Sequence, residues 1–307
     1  MPYTPILGGS GSASFPRQFE DSNVDAVSMA VTVIEHLAND GSNSVLGHGT
    51  GFFWQSEGAH YLVSARHVLS GLDPFTNDLM SGDGYIPERV RIFPTFQDEK
   101  SWVRSDGMIV DLTSNGQRRW LQDPEFETLR TDIAAIELDL TIPDGKSLVC
   151  LDRLVDNERL VTQVGFDCTI VGYPSRNLSD LRTPVWRRGA LASEPFLPVD
   201  GKPMFLVDGS TSPGFSGSPV LRRHIGPAPV HDGSGGIVTK VGRVVTTILI
   251  GVYAGRLKHQ FVGGEVPFAF YANRIPSIVK KPELNFTVGS QFETSFSLPA
   301  WPTPPQG

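Results

Sequence analysis

Short β-prone runs, each cut off from the next by glycine, proline, asparagine or aspartate, constrain this 307-residue chain more than any other feature. They fall at residues 30–34, 49–54, 61–63, 90–93, 108–112 and 133–138. A second group follows after about residue 145, at 168–172, 190–193, 204–207, 218–221, 244–252 and 268–271. With 32 glycines and 24 prolines, these two residue types make up about 18% of the chain, against roughly 12% in average usage. Turn-dense sequence with little helical periodicity predicts an all-β fold of sandwich or barrel type. One short helix is expected late, over residues 274–280, with Asn273 as its cap and Pro276 in the first turn where proline is tolerated.

Composition then removes several classes. At 39% apolar and 19% charged, the chain reads as an ordinary soluble globular protein with material for a core. Its net charge of −7 argues against a nucleic-acid-coating surface. No apolar run approaches the ~18 residues of a membrane span. The first residues lack a basic segment followed by an apolar one, so no secretory signal is expected and the reading is cytoplasmic. Cys150 and Cys168 are then expected as buried free thiols, a single disulfide being the alternative in an oxidising compartment. No CxxC or HExxH pattern occurs, so neither a metal nor another cofactor is expected. The expected organisation is a Gly/Ser-rich arm (1–23), a first β-unit (24–144) with an insertion at about 71–130, a second β-unit (145–282) and a Pro-rich tail (283–307). Ile6-Leu7-Gly8-Gly9 belongs to that arm.

The strongest local signal is Ser212-Pro213-Gly214-Phe215-Ser216-Gly217-Ser218-Pro219. A serine with glycines two before and one after it suits a nucleophile on a tight turn. Gly214 permits backbone conformations that a side chain forbids. Such a turn can aim the amides of Gly214 and Ser216 at one point, as an oxyanion hole requires. Gly217 would let a substrate approach closely. The competing reading is an ordinary loop between strands. A serine nucleophile needs a base. His67 follows the apolar run 61–63 and would be held at a sheet edge, whereas His224, His231 and His259 look like loop residues. Asp132, immediately before residues 133–138, is the best acid to orient the imidazole, with Asp106 and Asp111 as competitors.

In chain order, Val63-Ser64-Ala65-Arg66-His67-Val68, Thr131-Asp132-Ile133-Ala134-Ala135-Ile136 and Gly214-Phe215-Ser216-Gly217-Ser218-Pro219 resemble the histidine, aspartate and serine motifs of the trypsin-like (chymotrypsin-fold) serine peptidases. Gly49-Thr50-Gly51-Phe52, Thr169-Ile170-Val171-Gly172-Tyr173-Pro174, Arg188-Gly189-Ala190-Leu191 and Leu249-Ile250-Gly251-Val252-Tyr253-Ala254 also resemble that family, most of all its bacterial, HtrA-like branch. No PDZ-like segment follows residue 280. The 65-residue His67–Asp132 spacing is long for that branch, which places an insertion near residues 72–85 and 115–129.

The resemblance implies two packed six-stranded antiparallel β-barrels, with His67 and Asp132 on the first and Ser216 on the second. It implies a serine endopeptidase acting on polypeptides through an acyl-enzyme. The alternative is a protease-fold peptide-binding or latent module that needs a regulatory protein partner to form its oxyanion hole. By motif offset, Ser210 would lie at the base of the pocket for the side chain preceding the scissile bond, with Tyr253 or Ala254 near its wall. Without a carboxylate at the base or a histidine on the wall, small or medium apolar side chains are expected there. Substrate backbone would pair beside Gly251, Val252 and Tyr253.

Overall fold

The computed structural model describes residues 24–80, 84–99, 101–174, 183–242, 244–259 and 264–279. The expected arm (1–23) and tail (283–307) lie outside the described residues. Local chemistry sets the first hairpin. Glu57 (φ 52°) and Gly58 (φ 84°) both take left-handed backbone, the conformation a two-residue hairpin turn demands. That turn joins Val45–Ser56 to Ala59–Ser64, with Ser56 opposite Ala59 and Gly51 opposite Ser64. Asn115-Gly116 (φ 52° and 74°) does the same between Thr113–Ser114 and Gln117–Arg118.

The described sheet pairings are antiparallel and fall into two large units. The first is a seven-stranded sheet in the order Leu121–Gln122, Ala134–Glu137, Ala59–Ser64, Val45–Ser56, Val31–Leu37, Arg89–Ile92, Met108–Asp111. It does not close. A smaller sheet of Ser147–Leu148, Thr95–Gln97 and Trp102–Arg104 accompanies it. The second unit is a closed barrel of six strands, in the order Asp167–Gly172, Val185–Leu191, Met204–Asp208, Gly264–Tyr271, Val245–His259, Pro219–Ile225. The fold is a chymotrypsin-like double barrel whose first member is a half-barrel. The first unit departs from six closed strands because residues 71–130 supply the pieces of both open edges.

Strand Val45–Ser56 shows why the two units stay together. Phe52, Phe53 and Trp54 are consecutive and fully buried. Side chains alternate across a strand, so Phe53 enters the core of the first unit while Phe52 and Trp54 join a cluster that includes Val171, Tyr173, Leu221, Leu249 and Phe270 of the second. Burying such side chains contributes about 1.5–3 kcal/mol each. Polar contacts add to the junction, from Arg104 Nη2 to the Tyr173 hydroxyl (2.9 Å) and from the Gln55 amide to Asp152 Oδ1 (2.8 Å).

A short helix, Ala26–Ala30, is capped by Asp25, whose Oδ1 accepts the Val27 amide. The C-terminal helix is Ile275–Ile278, preceded by a 3-10 turn at Ala272–Arg274. It starts later than expected. Arg274, not Asn273, holds the cap position, and Pro276 sits in the first turn; Lys280, the expected end, lies outside the described residues. Both cysteines are free and buried, Cys150 in the core of the first unit and Cys168 in that of the second. His224, His231 and His259 are strand residues.

Candidate active site

Sheet register brings His67 and Asp132 together. Ala134 pairs with Ser64. In an antiparallel pair, two residues before Ala134 therefore face two residues after Ser64, where the one-turn helix Arg66–Ser70 begins. Asp132, 1% exposed, uses both oxygens on one residue. Oδ1 accepts the His67 backbone N–H (2.9 Å), and Oδ2 lies 2.6 Å from His67 Nδ1. Gly71 (φ 72°) ends the helix by returning its N–H to the His67 carbonyl at 2.8 Å. Asp106 and Asp111 are exposed, and Asp111 lies on an outer strand of the sheet, away from His67. Burial alone would push the His67 pKa down. The charge of Asp132 and its hydrogen bond outweigh this, Asp73 adds to them, and the net shift is upward.

Arg66 anchors the same corner. Its guanidinium stands 4.0 Å from the Phe126 ring centroid, and its Nε donates to Gln122 Oε1 at 3.1 Å. The segment carrying these residues is latched to the 3-10 turn Ala272–Arg274. Arg274 makes two 2.7 Å bonds to the buried Asp123 carboxylate and a 2.5 Å bond to Glu125. Burial would raise the Asp123 pKa, but the bonds from Arg274 and the Glu125 amide hold it below the ordinary carboxylate value.

Ser216 comes from the turn that precedes strand Pro219–Ile225. Phe215, fully buried in the barrel core, pins that turn from below. Thr50 pins it from the other unit. The Thr50 amide donates to the Ser216 carbonyl (2.8 Å), its Oγ1 donates to the Gly214 carbonyl (2.7 Å), and the same Oγ1 accepts the Tyr173 amide (2.9 Å). Thr50 had no role beyond the strand pattern Gly49-Thr50-Gly51-Phe52. The contacts that give it one lie 164 residues away, where no local periodicity reports them.

Gly214 has φ 100°, and a Cβ there would come within 2.4 Å of the Tyr173 carbonyl and 2.5 Å of His48 Nε2. Among the described residues, the amides of Gly214 and Ser216 donate to no protein group. Two uncommitted donors beside a serine are what an oxyanion needs. Gly217 serves differently from expectation. At φ 87°, its Cβ would meet the Thr50 carbonyl at 2.0 Å and Ser64 Oγ at 2.2 Å. Its missing side chain therefore admits the opposite unit, not a substrate.

His67, His48, His36, Tyr85, Gly214 and Ser216 line a pocket of about 260 Å³. His36 Nδ1 bonds the Tyr85 hydroxyl at 3.0 Å within it. The hydrogen bond recorded for Ser216 Oγ runs to the Ala254 carbonyl, at 3.5 Å. That is the long limit of a hydrogen bond.

The trypsin-like peptidase domain family matches residues 49–226, more than half of the chain. The chain belongs to that family. No curated protein matches it. The matched part of this trypsin-like peptidase domain contains His67, Asp132 and Ser216 and ends before strand Val245–His259.

The residues expected to pair with substrate backbone lie on that strand. Gly251, Val252 and Tyr253 are occupied on both sides, by Val220, Pro219 and the Ser218/Gly217 backbone on one and by Tyr271, Phe270 and Ala269 on the other. Among the described residues, both edges of this stretch are therefore already paired. A bulge follows between Tyr253 and Gly255 (φ 145°), and beyond it residues 255–259 pair only with Gly264–Tyr271. The open edge of this trypsin-like peptidase domain therefore begins at Ala254, where the carbonyl already faces Ser216. Ser210 is exposed, and Thr211 beside it is buried. Among the described residues, no group of three or more His, Cys, Asp or Glu is arranged to hold a metal ion, and no helix is long and apolar enough to cross a membrane.

Proposed function

We propose that this trypsin-like peptidase domain is a serine endopeptidase that cuts polypeptides through His67, Asp132 and Ser216. The observation that carries the reading is the doubly bonded His67–Asp132 pair opening on the same pocket as Ser216. Ser216 Oγ attacks the scissile carbonyl carbon while His67 Nε2 takes its proton. The carbonyl oxygen becomes an oxyanion between the Gly214 and Ser216 amides, and Asp132 stabilises the imidazolium and holds its tautomer. Collapse breaks the C–N bond, and His67 returns the proton to the departing amine. Water then attacks the acyl-serine by the same route and frees Ser216. One oxyanion-hole donor is worth roughly 3–4 kcal/mol in comparable enzymes, and loss of the nucleophile costs on the order of 10⁶ in turnover.

A second reading has one observation behind it. Ser216 Oγ meets the Ala254 carbonyl, and among the described residues no hydrogen bond joins it to His67. A latent or peptide-gripping module, completed by a protein partner, would rest in such an arrangement. Labelling by a fluorophosphonate, read by intact mass, separates the two. One adduct on wild type and none on Ser216→Ala supports the peptidase. No adduct on folded wild type supports the latent module.

A further inference from the structure

Outside the residues that line the His36–Tyr85 pocket, three donors converge that the family match does not cover as a set. Thr211, five residues before Ser216, places its Oγ1 2.7 Å from the Tyr253 hydroxyl. Arg256 Nε donates to the same Oγ1 at 3.2 Å. Thr211 is 5% exposed and Tyr253 is 3% exposed, so both are buried beneath the exposed Arg256.

Proton accounting shows what is missing. Thr211 and Tyr253 share one hydrogen bond, and whichever hydroxyl donates it, the hydrogen of the other is uncommitted. Among the described residues no acceptor takes it. Burial pushes the Tyr253 pKa up, against the hydrogen bond from Thr211 and the charge of Arg256, so the phenol keeps its proton. Arg256 forms a long ion pair with Glu265, Nη1 lying 3.7 Å from Oε2, and both side chains are exposed; that separation is beyond hydrogen-bond range. Among the described residues, the cluster thus presents a spare hydroxyl hydrogen and a guanidinium whose ion pair with Glu265 is too long to be a hydrogen bond. A planar carboxylate satisfies both at once.

Position supplies the rest. Ala254, whose carbonyl faces Ser216 Oγ, is two residues before Arg256 on the open edge. A substrate strand added there would bring the side chain of its acyl-donating residue over Thr211 and Tyr253. We infer that this site binds an acidic side chain, glutamate or aspartate, immediately before the scissile bond, held by Arg256, Thr211 and Tyr253. The inference rests on the peptidase reading above and replaces the apolar preference expected from Ser210. Glu265 competes with the substrate for Arg256, and its negative charge lies close enough to weaken acidic binding.

The test uses peptides identical but for Glu, Asp, Gln, Leu or Lys at that position. With wild type, kcat/KM for the better acidic peptide should exceed that for the Gln peptide by about tenfold or more, the effect of a charge-assisted bond in a partly shielded site. Arg256→Gln should bring the ratio to near one, Arg256→Lys should restore part of it, and Glu265→Gln should raise it. Equal or faster cleavage after Gln, Leu or Lys overturns the inference and leaves the peptidase reading standing. Binding of the same peptides to Ser216→Ala, read by fluorescence anisotropy, needs no turnover. If wild type cuts nothing but Ser216→Ala still prefers the Glu or Asp peptide and loses that preference with Arg256→Gln, the peptidase reading falls and the acidic site stands. If binding shows no acidic preference, the inference falls.

Discussion

The two halves of the proposed catalytic cleft are held by different kinds of force. On the first unit, Asp132 and His67 are neighbours because adjacent strands are in register, Ala134 against Ser64, and because one carboxylate grips both the backbone and the ring of His67. On the second, Ser216 sits in a turn with no ladder of its own. Its shape depends on Phe215 below and on Thr50 reaching over from the other unit. The His67–Asp132 pair is thus a product of local pairing, and the Ser216 turn a product of barrel docking. Damage to the docking should impair the serine and spare the histidine.

Four changes break or sharpen that contrast. Asp132→Asn attacks the local pair. It keeps the shape but disrupts the tautomer control, and kcat should fall by about 10⁴ in steady-state assays while circular dichroism is unchanged. Arg274→Ala attacks the latch behind that pair. It leaves the Asp123 carboxylate, 0% exposed, buried without its partner, and should cost about 3–5 kcal/mol of stability in denaturant unfolding, with kcat retained below the transition.

Thr50→Val attacks the docking. It removes a hydrogen bond to the Gly214 carbonyl and one from the Tyr173 amide. At about 1–3 kcal/mol for each buried group left unpaired, it should lower the melting temperature. It should also reduce fluorophosphonate labelling more than a change of equal stability cost elsewhere. Activity against pH gives the finest discrimination. His67 must be neutral to act as base, so kcat/KM should fall as pH drops through its raised pKa. That places the acid limb above the ordinary histidine value of about 6.5. The sign for stability is opposite. The protonated His67–Asp132 pair stabilises the fold fully below about pH 6.5, and the gain is lost as pH rises through the folded value. Thr50→Val should leave this limb in place. Movement of the limb would show that docking also sets the acid–base pair.

Several elements were legible before the structure because their causes are local. The strands at 49–54, 61–63 and 204–207 announce themselves through β-prone residues between turn formers, and each lies within a described strand. Asp132 stands at the mouth of such a run, which is why it could be preferred over Asp106 and Asp111. The late helix was expected too early because Asn273 resembles a cap, while the chain uses a 3-10 turn there. The hairpin Ala228–His231 with Ile237–Lys240 escaped notice. Its two strands flank the polar, Gly-rich stretch 232–236, and the second of them is exposed throughout.

What the sequence by itself determined was the all-β character and the order of histidine, aspartate and serine along the chain. Period-two strands and turn residues are properties of neighbouring positions. Tertiary structure alone decided the open first unit, the work of Thr50, the packing reason for Gly217, the shift of the free edge to Ala254 and the meeting of Thr211, Tyr253 and Arg256. Each depends on which backbone donors and acceptors are already taken by a strand from far away in the chain. Hydrogen bonds between residues 42, 45 or 164 positions apart leave no period in the sequence to be read.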